Sequence, residues 1–277
     1  MSTNGGSGSA TRSSVVIAPI IGIVGFLAAW ELLVRVGNVR PFVLRAPSRI
    51  VRFLADNAGA FTGAARVTAV HATVGLLAAL AFSIAIGAAM AAWQFLERAT
   101  QPVLTLIMVT PFVAYIAPVV LWLHGGTRSA LFIVTLLCLP AFTFAAVDGM
   151  RSADPASREL LASVDASRRE VLWHLRLPAA LPNLLTTCRY NIGLALIGAY
   201  LVEGGNVANR GLGAIGKRAA ALNDADNLWA TVFTMVLLGT IGLVVLNVVQ
   251  RFALRWHVSQ RRPSSSGGAA TTVRIDG

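Results

Sequence analysis

The chain has 277 residues, 56% of them hydrophobic and only 13% charged; soluble domains carry about 25% charged residues, so an ordinary water-soluble domain is excluded and the excess apolar surface points to a bilayer. The net charge of +11 comes almost wholly from arginine, with Lys217 the sole lysine. These arginines sit between long apolar runs and not along a basic stripe with aromatics, which reads as membrane-flanking charge and sets nucleic-acid binding aside.

Residues 1–14 are rich in Gly, Ser and Thr and are expected to form a disordered tail, as are residues 261–277; the domain between them covers 15–260. Charges leave long gaps within that domain: Arg12 to Glu31, Arg66 to Glu97, Arg98 to Arg128, Arg128 to Asp148 and Asp226 to Arg251 contain no Asp, Glu, Lys or Arg. About 20 apolar residues in a helix cross the hydrocarbon core. Spans are therefore expected near 15–34, 70–93, 100–123, 129–147, 184–203 and 228–250, the fifth of these carrying Arg189 near one end, where it can snorkel. The fold class is an all-α integral membrane protein with six transmembrane helices, because helices satisfy every backbone group inside lipid. The first apolar run is longer than a signal-peptide core, so it reads as a retained span.

Pro111 and Pro118 lie seven apart on the expected third span and suit either a bend beside a pathway or packing alone. Cys138 and Cys188 fall in apolar stretches without CxxC spacing, and the histidines are scattered, so neither a metal site nor a catalytic cluster is expected. His71 lies near the start of a span, and a neutral, hydrogen-bonded packing role is expected for it. Glu203 has two readings, facing the outer end of a pathway or bonding neighbouring backbone.

The polar stretch between the fourth and fifth spans reads as two short helices. Asp154 can cap a helix that begins at Pro155 and carries Arg158, Glu159, Leu160, Leu161, Ala162 and Val164. After Asp165, Ser167 and Glu170 form a capping box for a second helix, expected to end before Pro178. An apolar stripe of this kind serves either a docking partner or the membrane surface.

The run Glu159-Leu160-Leu161-Ala162, then Asp165, then Leu175-Arg176-Leu177-Pro178 resembles the EAA loop of ABC-importer permeases. That pattern is Glu-Ala-Ala, a glycine three residues on, and Ile-x-Leu-Pro after nine more. Leu160 and Leu161 stand where the family has alanines, and Asp165 stands where it has glycine, a position suited to a left-handed turn that Asp tolerates. Leu44-Arg45-Ala46-Pro47-Ser48, the run Pro111, Ala117-Pro118, Trp122 and Gly125, and Glu203 followed by Gly211-Leu212-Gly213 are similar to segments of the nitrate/sulfonate/taurine-type permeases. The resemblance implies that segment 154–178 couples the spans to cytoplasmic ABC ATPase subunits. It further implies a second permease copy in a homodimer, an extracytoplasmic substrate-binding protein, and a bacterial inner-membrane location with both termini cytoplasmic. Arginine counting favours that orientation by only a narrow margin. The substrate it implies is a small anion such as nitrate, a sulfonate or taurine, with riboflavin or a thiamine precursor as the alternative.

Gly211-Leu212-Gly213-Ala214-Ile215-Gly216-Lys217 satisfies GxGxxG and most of a P-loop. Arg218 stands where the P-loop needs Ser or Thr for magnesium, and no strand precedes the glycines, so no nucleotide, other cofactor or enzymatic activity is expected of this chain. An ion-coupled transporter would want carboxylates or histidines at mid-membrane and an internal repeat, neither of which is evident.

Overall fold

The structure is a computed structural model that describes residues 12–37, 39–40, 42–205 and 210–254. Every regular element among them is helical. The expected tails fall outside these residues, except that the first helix begins at Arg12. In order, the helices are α1 (Arg12–Val36), α2 (Pro47–Asp56), α3 (Ala58–Ala92), α4 (Gln94–Val109), α5 (Val113–Trp122) and α6 (Gly126–Arg151). They continue as α7 (Pro155–Ser163), α8 (Arg168–Val171), a π-helical turn (Leu172–Arg176), α9 (Leu177–Gly205), α10 (Leu212–Ala221) and α11 (Ala225–Ala253).

Among the described residues, four stretches can cross a membrane by length and composition: α3, α6, the continuous run 168–205, and α11. The bent pair α4–α5 is a fifth if it counts as one span. α1 occupies the first expected span as a 25-residue helix. α3 begins at Ala58, well before the expected start near 70. At 35 residues it runs about 52 Å, which exceeds the roughly 30 Å hydrocarbon core and carries it beyond the bilayer.

The expected third span is broken by a sharp bend. Residues 100–123 do not form one straight helix: α4 and α5 meet at 102° across a short break. Pro111 lies in that break and Pro118 lies inside α5. A proline N lacks the donor that would bond the preceding turn, so the helix ends at Val109 and restarts after Pro111.

The core is built on α6, which packs between α3 and α9. Val134, Cys138, Phe142, Ala146 and Met150 recur along one stripe of α6 and meet Ala72 and Ala79 of α3 and Ala180, Leu184, Ala195 and Ala199 of α9. Small residues set the approach, as expected where lipid tails leave helices little hydrophobic reason to associate. A Cβ on Gly149 would lie 2.5 Å from the Ala180 Cα, and one on Gly75 would lie 2.6 Å from the Val134 Cβ.

Polar side chains join the same helices. Ser83 donates to the Leu139 carbonyl at 2.8 Å, and Asn191 to the Cys138 carbonyl at 3.3 Å. Arg189 is exposed and bonded to α11, donating to Asn247 Oδ1 at 3.0 Å and Gln250 Oε1 at 3.2 Å. By contrast, α1 and α11 expose long apolar faces, including Ile20, Val24, Val236, Leu237 and Val245. Trp30 of α1 meets α11 edge-on through Trp229, with ring centroids 5.6 Å apart.

Candidate functional site

Two structures stand near opposite ends of α9. At its start is the 154–178 segment, which lies between α6 and α9. Asp154 caps α7 by accepting from the Ser157 amide at 3.0 Å and the Ser157 hydroxyl at 2.7 Å. Those bonds hold the Asp154 carboxyl below its ordinary range. α7 ends in a Schellman motif. The Ala166 amide donates to the Leu161 carbonyl at 3.0 Å and the Asp165 amide to the Ala162 carbonyl at 3.2 Å, with Asp165 at φ 50°. That left-handed position most often holds glycine, which accounts for the glycine of the pattern that Asp165 replaces.

Ser167 and Glu170 form the expected capping box. The helix they open does not stop before Pro178, however, and this expectation is corrected. It passes through the π turn into α9, where Leu177 and Pro178 are the first two residues. Pro178 offers no amide, and its ring would crowd the His174 carbonyl four residues back. The ladder widens just ahead of it: the Leu177 amide bonds the Leu172 carbonyl, five residues back. A π turn absorbs the proline while the helix continues.

Within this segment Leu160 and Val164 are each 67% exposed and Trp173 is 64% exposed. Glu159 and Ala162 are also exposed, while Leu161 and Leu175 are half-buried. Leu172 and Leu177 pack against the α3–α6–α9 core. The segment therefore presents an unburied apolar face on a base anchored in the bundle.

At the other end of α9, about 37 Å along the helix at 1.5 Å per residue, sits Glu203. It is buried and accepts hydrogen bonds from Thr68 Oγ1 at 2.7 Å, His71 Nδ1 at 2.9 Å and the Gly213 amide at 3.1 Å. Thr68 Oγ1 in turn accepts from the Leu212 amide at 2.9 Å, and His71 Nε2 lies 3.1 Å from Thr127 Oγ1. One carboxylate thus ties α3, α6, α9 and α10 together.

Of the two sequence readings of Glu203, bonding to neighbouring backbone is seen in the Gly213 amide contact, and His71 is buried and hydrogen-bonded. Thr68, Thr127 and the pairing with His71 were missed, because partners 132 residues apart leave no local signal. The glycine run acquires a meaning here. Gly211, at φ 124°, and Gly213 lie so close that a Cβ on the first would meet Glu203 Oε2 at 2.3 Å and one on the second the Tyr200 carbonyl oxygen at 1.9 Å. The phosphate-loop-like backbone cradles the chain's own carboxylate at the start of α10, where partial positive charge favours an anion.

Pro111 and Pro118 are exposed and lie apart from the 154–178 segment. α5 packs on α6 and α9 through Ile116 and Val119, which cluster with Val202, the neighbour of Glu203. Among the described residues, no group of three or more His, Cys, Asp or Glu could hold a metal ion.

A profile of the family described as the binding-protein-dependent transport system inner membrane component matches residues 73–261, which includes α6, the 154–178 segment, and α9 with Glu203, while Thr68 and His71 lie just before it. The chain belongs to this family. It is 28% identical over 254 residues to the formylaminopyrimidine transport permease of Halalkalibacterium halodurans, covering 90% of this chain and 99% of the relative. It is 26% identical to the taurine transport system permease of Escherichia coli, covering 83% and 86%. A putative aliphatic sulfonates transport permease of the same organism is 24% identical, covering 87% and 92%. In fold the chain is similar to a chain of the MetNI methionine ABC transporter in an inward-facing conformation, with a TM-score of 0.57 and 15% identity over 70% of this chain and 98% of that one. The family assignment makes this an ABC importer permease for a small solute.

Proposed function

We propose that the chain, with α1 as its first span and α4–α5 as its third, forms the six-span half of a homodimeric translocation pathway driven by cytoplasmic ATPase subunits. Segment 154–178 is the coupling element. The observation that carries this reading is the exposure of Leu160 and Val164, one turn apart at the end of α7, and of Trp173 on the helical run continuous with α9. Burying each of these side chains against a partner contributes roughly 1.5–3 kcal/mol before ordering costs. Movement of the ATPases then shifts α7, and α9 carries the shift to the Glu203 junction, where four helices meet. Both termini and the coupling segment lie on the cytoplasmic side of the inner membrane, with a substrate-binding protein docking on the other.

For the substrate, a sulfonate or taurine-like small anion is the first reading, supported by the taurine and sulfonate relatives. The formylaminopyrimidine relative, aligned over nearly its whole length, supports a thiamine precursor as the second. Reconstitution with the ATPase and binding protein tests both: ATP-dependent uptake of labelled taurine, competed by an alkanesulfonate, is the expected result. Uptake of formylaminopyrimidine alone moves the assignment to the second reading. Solute uptake that continues without the ATPase overturns the importer reading.

A further inference from the structure

Where α3, α4, α6, α7 and the π turn converge, the bundle forms an open cavity of about 550 Å³ whose walls include Arg98, Arg151, Arg158 and Arg176. Gln94 and Glu97 supply its remaining long polar side chains. Two of the arginines are engaged: Arg151 donates twice to the Glu97 carboxylate, at 2.8 and 2.5 Å, and Arg176 donates to the Ala91 carbonyl at 3.4 Å. Among the described residues, the Arg98 and Arg158 side chains make no hydrogen bond and no salt bridge. One carboxylate, already satisfied by Arg151, faces four guanidinium groups, so the cavity has an unmatched positive charge and donors left over. Guanidinium forks are shaped to receive phosphate oxygens.

Trp93 and Phe95 flank the lining residue Gln94 in sequence and are 59% and 84% exposed. Aromatic rings at span ends sit at the level of lipid headgroups, and basic pockets between helix ends at that depth hold anionic headgroups. We propose that this cavity binds the phosphodiester group of an anionic phospholipid, with Arg98 and Arg158 as its free ligands. Arg158 lies on α7 and Arg98 on α4, so a bound headgroup bridges the 154–178 segment to the end of the bent α4–α5 pair. The proposal rests on the membrane reading of the helices, and its test reads lipid retention, which is independent of whether the ATPase reading holds.

The full chain is purified in micelles doped with phosphatidylglycerol or phosphatidylcholine, and lipid retained through gel filtration is quantified by mass spectrometry. Wild type is expected to retain phosphatidylglycerol selectively. Arg98→Gln/Arg158→Gln, eluting as a single species with unchanged melting, is expected to lose about thirtyfold of that retention, the scale for two interfacial arginines. Arg218→Gln, on α10 and outside the cavity, is expected to retain the lipid as wild type does. Equal retention of both lipids, or no loss in the double variant, overturns the proposal. Inorganic phosphate that binds wild type but not the double variant, with no selection between lipids, overturns the headgroup as the source and assigns the site to the free anion. Complete loss of lipid when the ATPase joins the permease assigns the cavity to the ATPase and overturns the proposal as well.

Discussion

His71 Nδ1 and a carboxylate oxygen of Glu203 lie 2.9 Å apart although 132 residues separate them in the chain. The pair closes a buried junction in which Thr68 and the Gly213 amide share the same carboxylate. Glu203→Ala strands three donors inside the protein, at about 1–3 kcal/mol each before relaxation. Its melting temperature in detergent is expected to fall well below that of wild type, and Glu203→Gln, which keeps one acceptor oxygen, is expected to fall less. Wild-type melting of Glu203→Ala would show that the junction does not hold these helices.

The apolar face of α7 offers a second test. Leu160 is exposed and Leu161 half-buried, so Leu160→Asp removes docking surface while leaving the fold of the segment alone. Co-purifying ATPase is expected to drop by about tenfold or more, the scale of one buried leucine, with the permease level in membranes unchanged. Leu161→Asp strikes both docking and local packing and is expected to lower permease level and ATPase binding together. Full docking and uptake in both variants would reduce 154–178 to a connector on the membrane surface.

Asp165 supplies a third. Its φ of 50° suits glycine, so Asp165→Gly is expected to leave the segment intact. Asp165→Val forces a β-branched residue into the left-handed region, at roughly 1–2 kcal/mol or more. Limited proteolysis between 154 and 178 checks this: faster cleavage is expected for the valine variant only.

Gly149 and Gly193 make a matched pair. A Cβ at Gly149 meets the backbone of Ala180, whereas one at Gly193 meets nothing within 4 Å. Gly149→Ala is expected to lower thermal stability by forcing α6 and α9 apart. Gly193→Ala is expected to be neutral or to stabilise by up to about 1 kcal/mol through helix propensity. Equal behaviour of the two in a melting assay would rule out close helix approach as the reason for Gly149.

Orientation is tested by cysteine labelling after Cys138 and Cys188 are replaced. Ala156→Cys and Leu222→Cys both lie on exposed turns or helix starts. In intact cells an impermeant thiol reagent is expected to label the second and spare the first. The reverse pattern would place α7 outside and remove its access to a cytoplasmic ATPase.

The long helices were legible where apolar runs are long and uninterrupted: α6 extends only a few residues beyond the 129–147 stretch, and α11 extends similarly around 228–250. Proline was read as a bend or packing residue at Pro111, where the helix breaks, and as a stop at Pro178, where the helix continues. The difference is tertiary: Leu172 and Leu177 are anchored in the core, which makes a widened turn cheaper than a break. The part of α3 before the expected 70–93 span went unread because Ala58–Ala69 carries Arg66, and charge counting marks apolar runs and not helix ends. α2 and α10 are short, and burial of Ile50 and Leu212 in one cluster stabilises them in a way no local pattern discloses. The caps of the 154–178 segment were fully legible, since Asp154, Ser167 and Glu170 act on backbone within three residues.

The π turn at Leu172–Arg176 holds one residue more than an α-helical turn would. Deleting a single residue there lets the ladder revert to ordinary α spacing, and every residue on its N-terminal side then turns by about 100° about the α9 axis. Leu160, Val164 and Arg158 would keep their chemistry and their local caps yet aim at a different part of the surface. The angular phase between α7 and the bundle is therefore stored in one extra backbone unit, and a one-residue indel is the smallest change that can reset it.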